Sequence, residues 1–412
     1  MRAGNRGANS TASEMPATTG LSLYHKLSAL QQWVPSYAWQ RLTRRSPRGR
    51  VHLVFALADH FEPAIVPHDG KARAPYQEQE ARVESWCRDF PQVADAWRDN
   101  EGFPFVHSYF FPAEQYDEGL VGRLAQHCHE GWGEIEIHLH HGIPDPDTPE
   151  NTRQSLLAFR DILALRHGCL SYRDGLGSPC YAFVHGNFAL ANSAGGRFCG
   201  VDEEMAILAE TGCFADLSMP TAMFHPAQIA KINSIYECGL PLHTRAPHRR
   251  GVDLAKGRAP TTLPILIQGP LALKFQFPRQ GCRFVTAENG AVTGYNPLSM
   301  SRLQIWKRAN ITVAGRPDWL FIKLYCHSMD PTQHDAVVGQ ALRDFLRELV
   351  QGASTRNEIL HFVTAREMTN IILAACDGRE GNPGDYRDYR FQRRRTDQQR
   401  PMVIPINTVV KA

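Results

Sequence analysis

The chain has no Cys-x-x-Cys pair, although ten cysteines are spread along it at positions 87, 128, 169, 180, 199, 213, 238, 282, 326 and 376. That absence leaves no disulfide or paired-thiol framework. Cys180 and Cys213 sit in apolar, strand-like runs where free buried thiols are normally found, so a reduced compartment is expected. Nowhere do about 18 apolar residues run together, which excludes a membrane-spanning helix from the sequence reading. Met1 to Gly20 lacks the apolar core of a secretory signal; it reads as disordered and the protein as cytoplasmic. Charge of one sign is also lacking: 45 Lys and Arg against 42 Asp and Glu give +3, too little to imply a nucleic-acid partner. The local exception is Tyr386 to Arg400, with six arginines against Asp388 and Asp397, which reads as a solvated or partner-contacting tail. Finally, no Gly-x-Gly-x-x-Gly follows the first apolar run, so no dinucleotide site is expected there.

What is present is a globular composition, 43% hydrophobic and 21% charged, and one dense cluster of imidazoles. The stretch Glu134-Ile-Glu-Ile-His-Leu-His-His-Gly142 alternates with period two. As a strand it puts Ile135, Ile137 and Leu139 on one face and Glu134, Glu136, His138 and His140 on the other. Three histidines within four positions suit a divalent cation, with neutral imidazole nitrogens as ligands.

The same strand grammar recurs along the chain. His52 to Ala58 is a near-continuous apolar run, as expected of a strand covered on both faces. Further strands are expected at Phe105–Phe111, Cys180–His185, Cys213–Met219, Leu263–Ile267, Trp319–Tyr325 and Leu360–Val363. Between them lie helical patterns. One opens at Thr148 as N-cap with Pro149 in the first turn, and another carries an apolar stripe from Val337 to Leu349. Residues Leu21–Leu42 read as helical with exposed aromatics, Thr221–Pro260 as a long loop over the site, and His127 and His129 as surface residues. The expected organisation is a disordered segment over 1–20, a helical extension and linker over 21–50, a (β/α)7-8 barrel over 51–375 and a basic tail over 376–412. An open doubly wound sheet is the runner-up.

In such a barrel the chemistry sits where strands end. The ends read, in order, Asp59-His60-Phe61-Glu62, His138-Leu139-His140-His141, His185-Gly186-Asn187, Asp216-Leu217-Ser218, Gln268-Gly269 and His327-Ser328. This order of motifs resembles the polysaccharide deacetylase superfamily, the NodB-homology group of carbohydrate esterases. Phe55 to His60 stands where that family's acidic motif falls, Glu134 to His138 is similar to the strand leading into its histidine motif, and Phe321 to His327 to its last histidine strand. The strings Asp59-His-Phe-Glu-Pro63, His138-Leu-His-His141, His185-Gly-Asn187 and Val363-Thr-Ala-Arg-Glu-Met368 look like a divergent branch associated with bacterial polysaccharide clusters.

The resemblance implies a NodB-like barrel and a metal-dependent hydrolase that removes acetyl groups from N-acetylated sugars or glycan precursors. It implies a divalent ion, with zinc expected, and a carbohydrate as partner. Asp59 and His138 would be ligands and His327 the general acid. The family pairs two aspartates where this chain has Asp59-His60. Asp59 is therefore either base or ligand, His60 a candidate ligand, and Glu62 a further candidate base. The family's two histidines stand four apart, and four after His138 is Gly142, so His140 or His141 takes the second place. His185, Asn187 and Asp216 are candidates for holding substrate, with Asp216 equally able to anchor a neighbouring histidine. Two other readings stay open. One is a catalytically degenerate metal-containing glycan-binding or scaffold protein. The other is a different metal-dependent hydrolase, such as an amidohydrolase, or a glycosidase using Asp59 and Asp216 as a pair roughly 5–9.5 Å apart. Arg366 and Glu367 are expected to form a salt bridge.

Overall fold

Strands in chain order are β1 (Val51–His60), β2 (His107–Pro112), β3 (Gly133–Leu139), β4 (Ser171–Arg173), β5 (Leu176–His185), β6 (Cys213–Asp216) and β7 (Ile235–Cys238). There follow β8 (Gly251–Asp253), β9 (Ile265–Ile267), β10 (Ala272–Gln276), β11 (Phe284–Glu288), β12 (Trp319–Cys326), β13 (Glu358–Phe362) and β14 (Phe391–Gln392). This computed structural model describes residues 23–44, 49–67, 69, 72–221, 224–276 and 284–394. The expectations for Met1 to Gly20, for Cys282 and for the tail beyond residue 394 fall outside the described residues.

β1 is buried on both faces, as its unbroken apolar run requires. Leu53, Phe55 and Leu57 share a core with Trp86 and Phe90 of the helix Tyr76–Ala94 and with Phe345 of Gln340–Gly352. Val54, Ala56 and Ala58 face the other way, toward Met368, Ile371 and Ile372 of the helix Ala365–Cys376. In β3 the period-two pattern holds: Ile135, Ile137 and Leu139 join the first core, and the polar set lies on the opposite side.

A closed (β/α)7-8 barrel is not what forms. The main sheet runs β12-β1-β2-β3-β5-β6-β9-β7-β8, a curled, mostly parallel half-barrel whose order is not that of a consecutive barrel. β12, β2 and β13 all pair with β1 in parallel; β13 takes Val51–Phe55 and β2 takes Leu57–His60. The physical reason for the departure lies in two segments. Thr221 to Pro260, read as a loop, contributes β7 and β8, which add antiparallel strands at the far edge instead of a further strand-helix unit. The helix Ala365–Cys376 is buried along nearly its whole circumference and packs against the concave face. The other edge of β12 is met by loop backbone, with Val292 N–H donating to Tyr325 O and Phe321 N–H to Ile311 O.

Local signals were sound elsewhere. Thr148 caps Pro149–Leu165 by accepting from Asn151 N–H at 3.2 Å, with Pro149 in the first turn. The nine described cysteines are free, and all but Cys180 are buried. Two expectations are corrected. His127 is buried and hydrogen-bonded to the Tyr109 hydroxyl at 3.0 Å, because Glu118–His129 turns that side of its last turn inward; His129 is exposed. The described part of Tyr386–Arg400 is not a solvated tail: Arg387 and Phe391 are buried, held by Asp99 and by the Asn370 side chain. No helix among the described residues is long and apolar enough to cross a membrane.

Candidate metal centre

Three strands deliver the central cluster. β1 ends in His60 and runs on to Glu62, β3 supplies His138 and leads into His140, and β12 leads into His327. Around Glu62 Oε1 stand His138 Nε2 at 3.4 Å, His140 Nε2 at 3.8 Å and His327 Nε2 at 3.9 Å. The His60 ring lies 4.8 Å from that of His138 and 4.6 Å from that of His327, centre to centre. His60, Glu62 and His138 each offer a donor atom within 4.8 Å of the others, and all three are buried.

The hydrogen bonds behind the imidazoles prepare them as ligands. His138 Nδ1 lies 2.8 Å from Val184 O, which only a protonated Nδ1 can satisfy, so the Nε2 lone pair faces Glu62. That Nε2 is buried without a hydrogen-bond partner among the described residues, and so is His60 Nδ1. His140 Nδ1 is held by Glu114 Oε1 at 2.7 Å, which leaves its Nε2 free to turn toward Glu62. Gly186 makes room for this: a Cβ there would come within 2.3 Å of the His140 ring. Buried nitrogens with oriented lone pairs beside a carboxylate are what a divalent cation needs, and the donor set fits one.

Electrostatics point the same way for His60, His138 and Glu62. Burial and the neighbouring His327, His138 and His140 push His60 far toward its neutral form. Burial likewise lowers His138. For Glu62 burial raises the carboxyl, but His140, His138 and His327 outweigh it and hold it at about 2. Burial opposes charge on His140, yet Glu114 and Glu62 lift it to about 9. The side chains of His140 and His327 are 17% and 23% exposed, so the cluster opens to solvent on that side. Rings of Phe188 and Tyr325 stand 6.1 and 5.9 Å from His60 and wall the same face.

Not every expected residue arrives here. Asp59 points from the opposite face of β1, with Oδ2 on His107 Nδ1 at 3.0 Å and Oδ1 accepting from Ser328 N–H at 3.0 Å. It thus fixes the backbone beside His327. His141 and His185 meet each other elsewhere, with their Nε2 atoms 3.1 Å apart. Asn187 donates its backbone N–H to His185 Nδ1. Asp216 accepts from the Ser218 hydroxyl at 2.7 Å; burial lifts its carboxyl to about 7 despite those Ser218 bonds, and Lys323 lies near. Asp59 and Asp216 keep separate partners: Asp59 is bonded to His107 and to Ser328 N–H, and Asp216 belongs to the Ser218 and Lys323 network. Sequence reasoning missed Glu114, although it follows the end of β2 and the strand-end criterion covers it.

No protein-family model matches the chain, and no match is found among curated proteins or among solved structures.

Proposed function

We propose that the protein is a metal-dependent hydrolase that releases acetate from N-acetylated sugars or glycan precursors. The observation that carries this reading is the Glu62 carboxylate ringed by His138, His140 and His327 at 3.4–3.9 Å in a pocket open on the His140 and His327 side. His60, His138 and His140 would hold the ion, and zinc suits imidazole and carboxylate donors at this spacing. A bound divalent ion supplies a Lewis acid at the acetyl carbonyl and acidifies water. Glu62 takes the proton of the attacking water, and His327, on the solvent side, returns one to the leaving amine nitrogen. Water adds to the carbonyl carbon as the C–N bond breaks, giving acetate and a free amino sugar. Phe188 and Tyr325 offer apolar ring faces beside the cluster for a sugar. Asp59 positions His327 through Ser328.

The direct test is metal analysis of the purified protein together with acetate release from a panel of N-acetylated sugars. Stoichiometric divalent metal with acetate from at least one sugar is the expected result. A metal-free protein, or a fully loaded one inert toward every sugar, overturns it. The second of those outcomes fits the one alternative a specific observation favours. Asp59 is turned away, so if Glu62 ligates the ion no base remains, and the protein is a metal-containing glycan-binding or scaffold component.

The Glu114 bond to His140 gives a finer prediction. Glu114→Gln keeps the shape but loses the charge that orients the ring, and metal affinity should fall about 10–100-fold in a competition titration. An unchanged affinity would remove His140 from the ligand set.

A further inference from the structure

His140 and His141 are consecutive, yet they leave the end of β3 in opposite directions. His141 enters a second buried cluster with His185, Cys199 and Glu204, whose four donor atoms lie within 4.8 Å of one another. His141 Nε2 is 2.9 Å from Glu204 Oε1 and 3.1 Å from His185 Nε2, and His185 Nε2 is 3.7 Å from Glu204 Oε1. Cys199 Sγ lies 3.6 Å from Glu204 Oε2. Four ligands held at about 2.0–2.3 Å around a tetrahedral ion stand roughly 3.3–3.8 Å apart, so the cluster is close to that size.

We infer that His141, His185, Cys199 and Glu204 form a second, structural metal site for a tetrahedral divalent ion such as zinc. Two imidazoles, a thiolate and a carboxylate are a donor set zinc accepts, and complete burial suits a closed site with no open position. The surroundings support three of the four ligands. Asp147 Oδ2 accepts from His141 Nδ1–H at 2.9 Å and is itself fixed by the Thr152 hydroxyl at 2.7 Å, so His141 presents Nε2. Val201 N–H lies 3.4 Å from Cys199 Sγ, a donor directed at the sulfur as thiolate ligands require. Ala191 N–H holds the other Glu204 oxygen at 2.6 Å.

The two loops that meet here are already in close backbone contact. Gly142 has φ +72, and a Cβ on it would come within 2.3 Å of Cys199 O; Asp147 N–H donates to that same oxygen at 2.8 Å. Without an ion, the cluster needs a proton between the facing Nε2 atoms of His141 and His185 and the Glu204 carboxylate; Asn187 N–H donates to His185 Nδ1 at 3.2 Å, which places the His185 proton on Nε2, and an ion that binds there displaces it. On binding, the Cys199 thiol loses its proton to water and the ion takes the place of the shared proton. Because His141 follows His140, an ion here also anchors the strand end that carries a ligand of the Glu62 cluster.

Cobalt distinguishes this site from the first, because the Glu62 cluster contains no sulfur. Thiolate-bound Co²⁺ gives an intense near-ultraviolet charge-transfer band, whereas imidazole and carboxylate ligands alone do not. Full-length protein reconstituted with Co²⁺ should show that band. Cys199→Ser should abolish it and lose one metal equivalent, while Cys326→Ser, beside the Asp59 and His107 pair, should keep both. Glu204→Gln, nearly the same shape, is the second variant should Cys199→Ser fail to fold; it should release the same equivalent at lower chelator concentration. Absence of the band in wild-type protein, its persistence in Cys199→Ser, or unchanged metal retention in Glu204→Gln would overturn the site. None of these readouts depends on acetate release or on the Glu62 cluster being loaded.

Discussion

His138→Ala is expected to abolish metal binding at the Glu62 cluster and to reduce acetate release by about three orders of magnitude or more. The loss is large because the substitution removes the imidazole whose bond to Val184 O fixes its tautomer and aims Nε2 at Glu62 from 3.4 Å. An ion that contributes several kcal/mol at the carbonyl is worth about a thousandfold in rate, since each 1.36 kcal/mol is about tenfold. Glu62 would also lose one of the neighbours that offset its burial, and its carboxyl should rise from about 2. Metal analysis and acetate release are the measurements, with circular dichroism confirming that the variant is folded. Wild-type metal content in the variant would remove His138 from the site.

The sequence made the sidedness of β3 plain and hid that of β1. In Glu134 to His140 polar and apolar residues alternate, so the period itself separates His138 and His140 from Leu139 and, one step on, from His141. The two imidazoles that seemed interchangeable as a second ligand therefore belong to different clusters. In β1 both faces are apolar because both are covered, and no contrast marks Asp59 as lying opposite His60. Asp59 could be assigned to the site by position alone, and it is bonded instead to His107 on the helix side. Closure of the sheet was not legible for a related reason. Strand and helix patterns report local periodicity, whereas an edge depends on what pairs with it. The short strands β7 and β8 and the all-round apolar helix Ala365–Cys376 decide that, and neither has a sequence signal that specifies its partner.

The pair Cys199 and Glu204 shows a different limit. Their spacing from His141 and His185 follows no compact motif, and only the meeting of the 141–148 and 199–204 segments brings them together. Glu62, by contrast, sits two residues beyond His60 and continues its face. Strand-end reasoning finds residues on the sheet; it does not find those delivered by loops that fold back on it.

Arg366→Ala is expected to cost about 3–5 kcal/mol of stability, a large fraction of the roughly 5–15 kcal/mol that holds a domain folded. The anticipated salt bridge of Arg366 has its main partner across the fold: Nε and Nη2 grip Glu134 at 2.8–3.1 Å, where β3 begins, and Nη1 donates to Phe391 O at 2.9 Å. Arg366 also lies 3.8 Å from the expected partner, Glu367. Both Arg366 and Glu134 are buried, so truncation strands a carboxylate out of water with only the Thr364 hydroxyl and the half-exposed Arg393 left to it. Burial alone would raise Glu134, but Arg366 and Arg393 hold it at about 2 against an ordinary 4.5. A depressed carboxyl contributes stability that is present above about pH 4.5 and is lost as pH falls toward 2. In Arg366→Ala the carboxyl rises and can be neutralised by a proton, so the deficit should be full at about pH 7 and smaller at about pH 4. Urea unfolding at the two pH values measures it. The double variant Glu134→Leu with Arg366→Met removes both charges and should recover most of the loss, because a buried pair replaced by apolar groups is often close to neutral. A deficit under about 1 kcal/mol at pH 7 would mean that Arg393 and Thr364 suffice for Glu134, and that Arg366 serves mainly to tie the 387–391 backbone to the concave face.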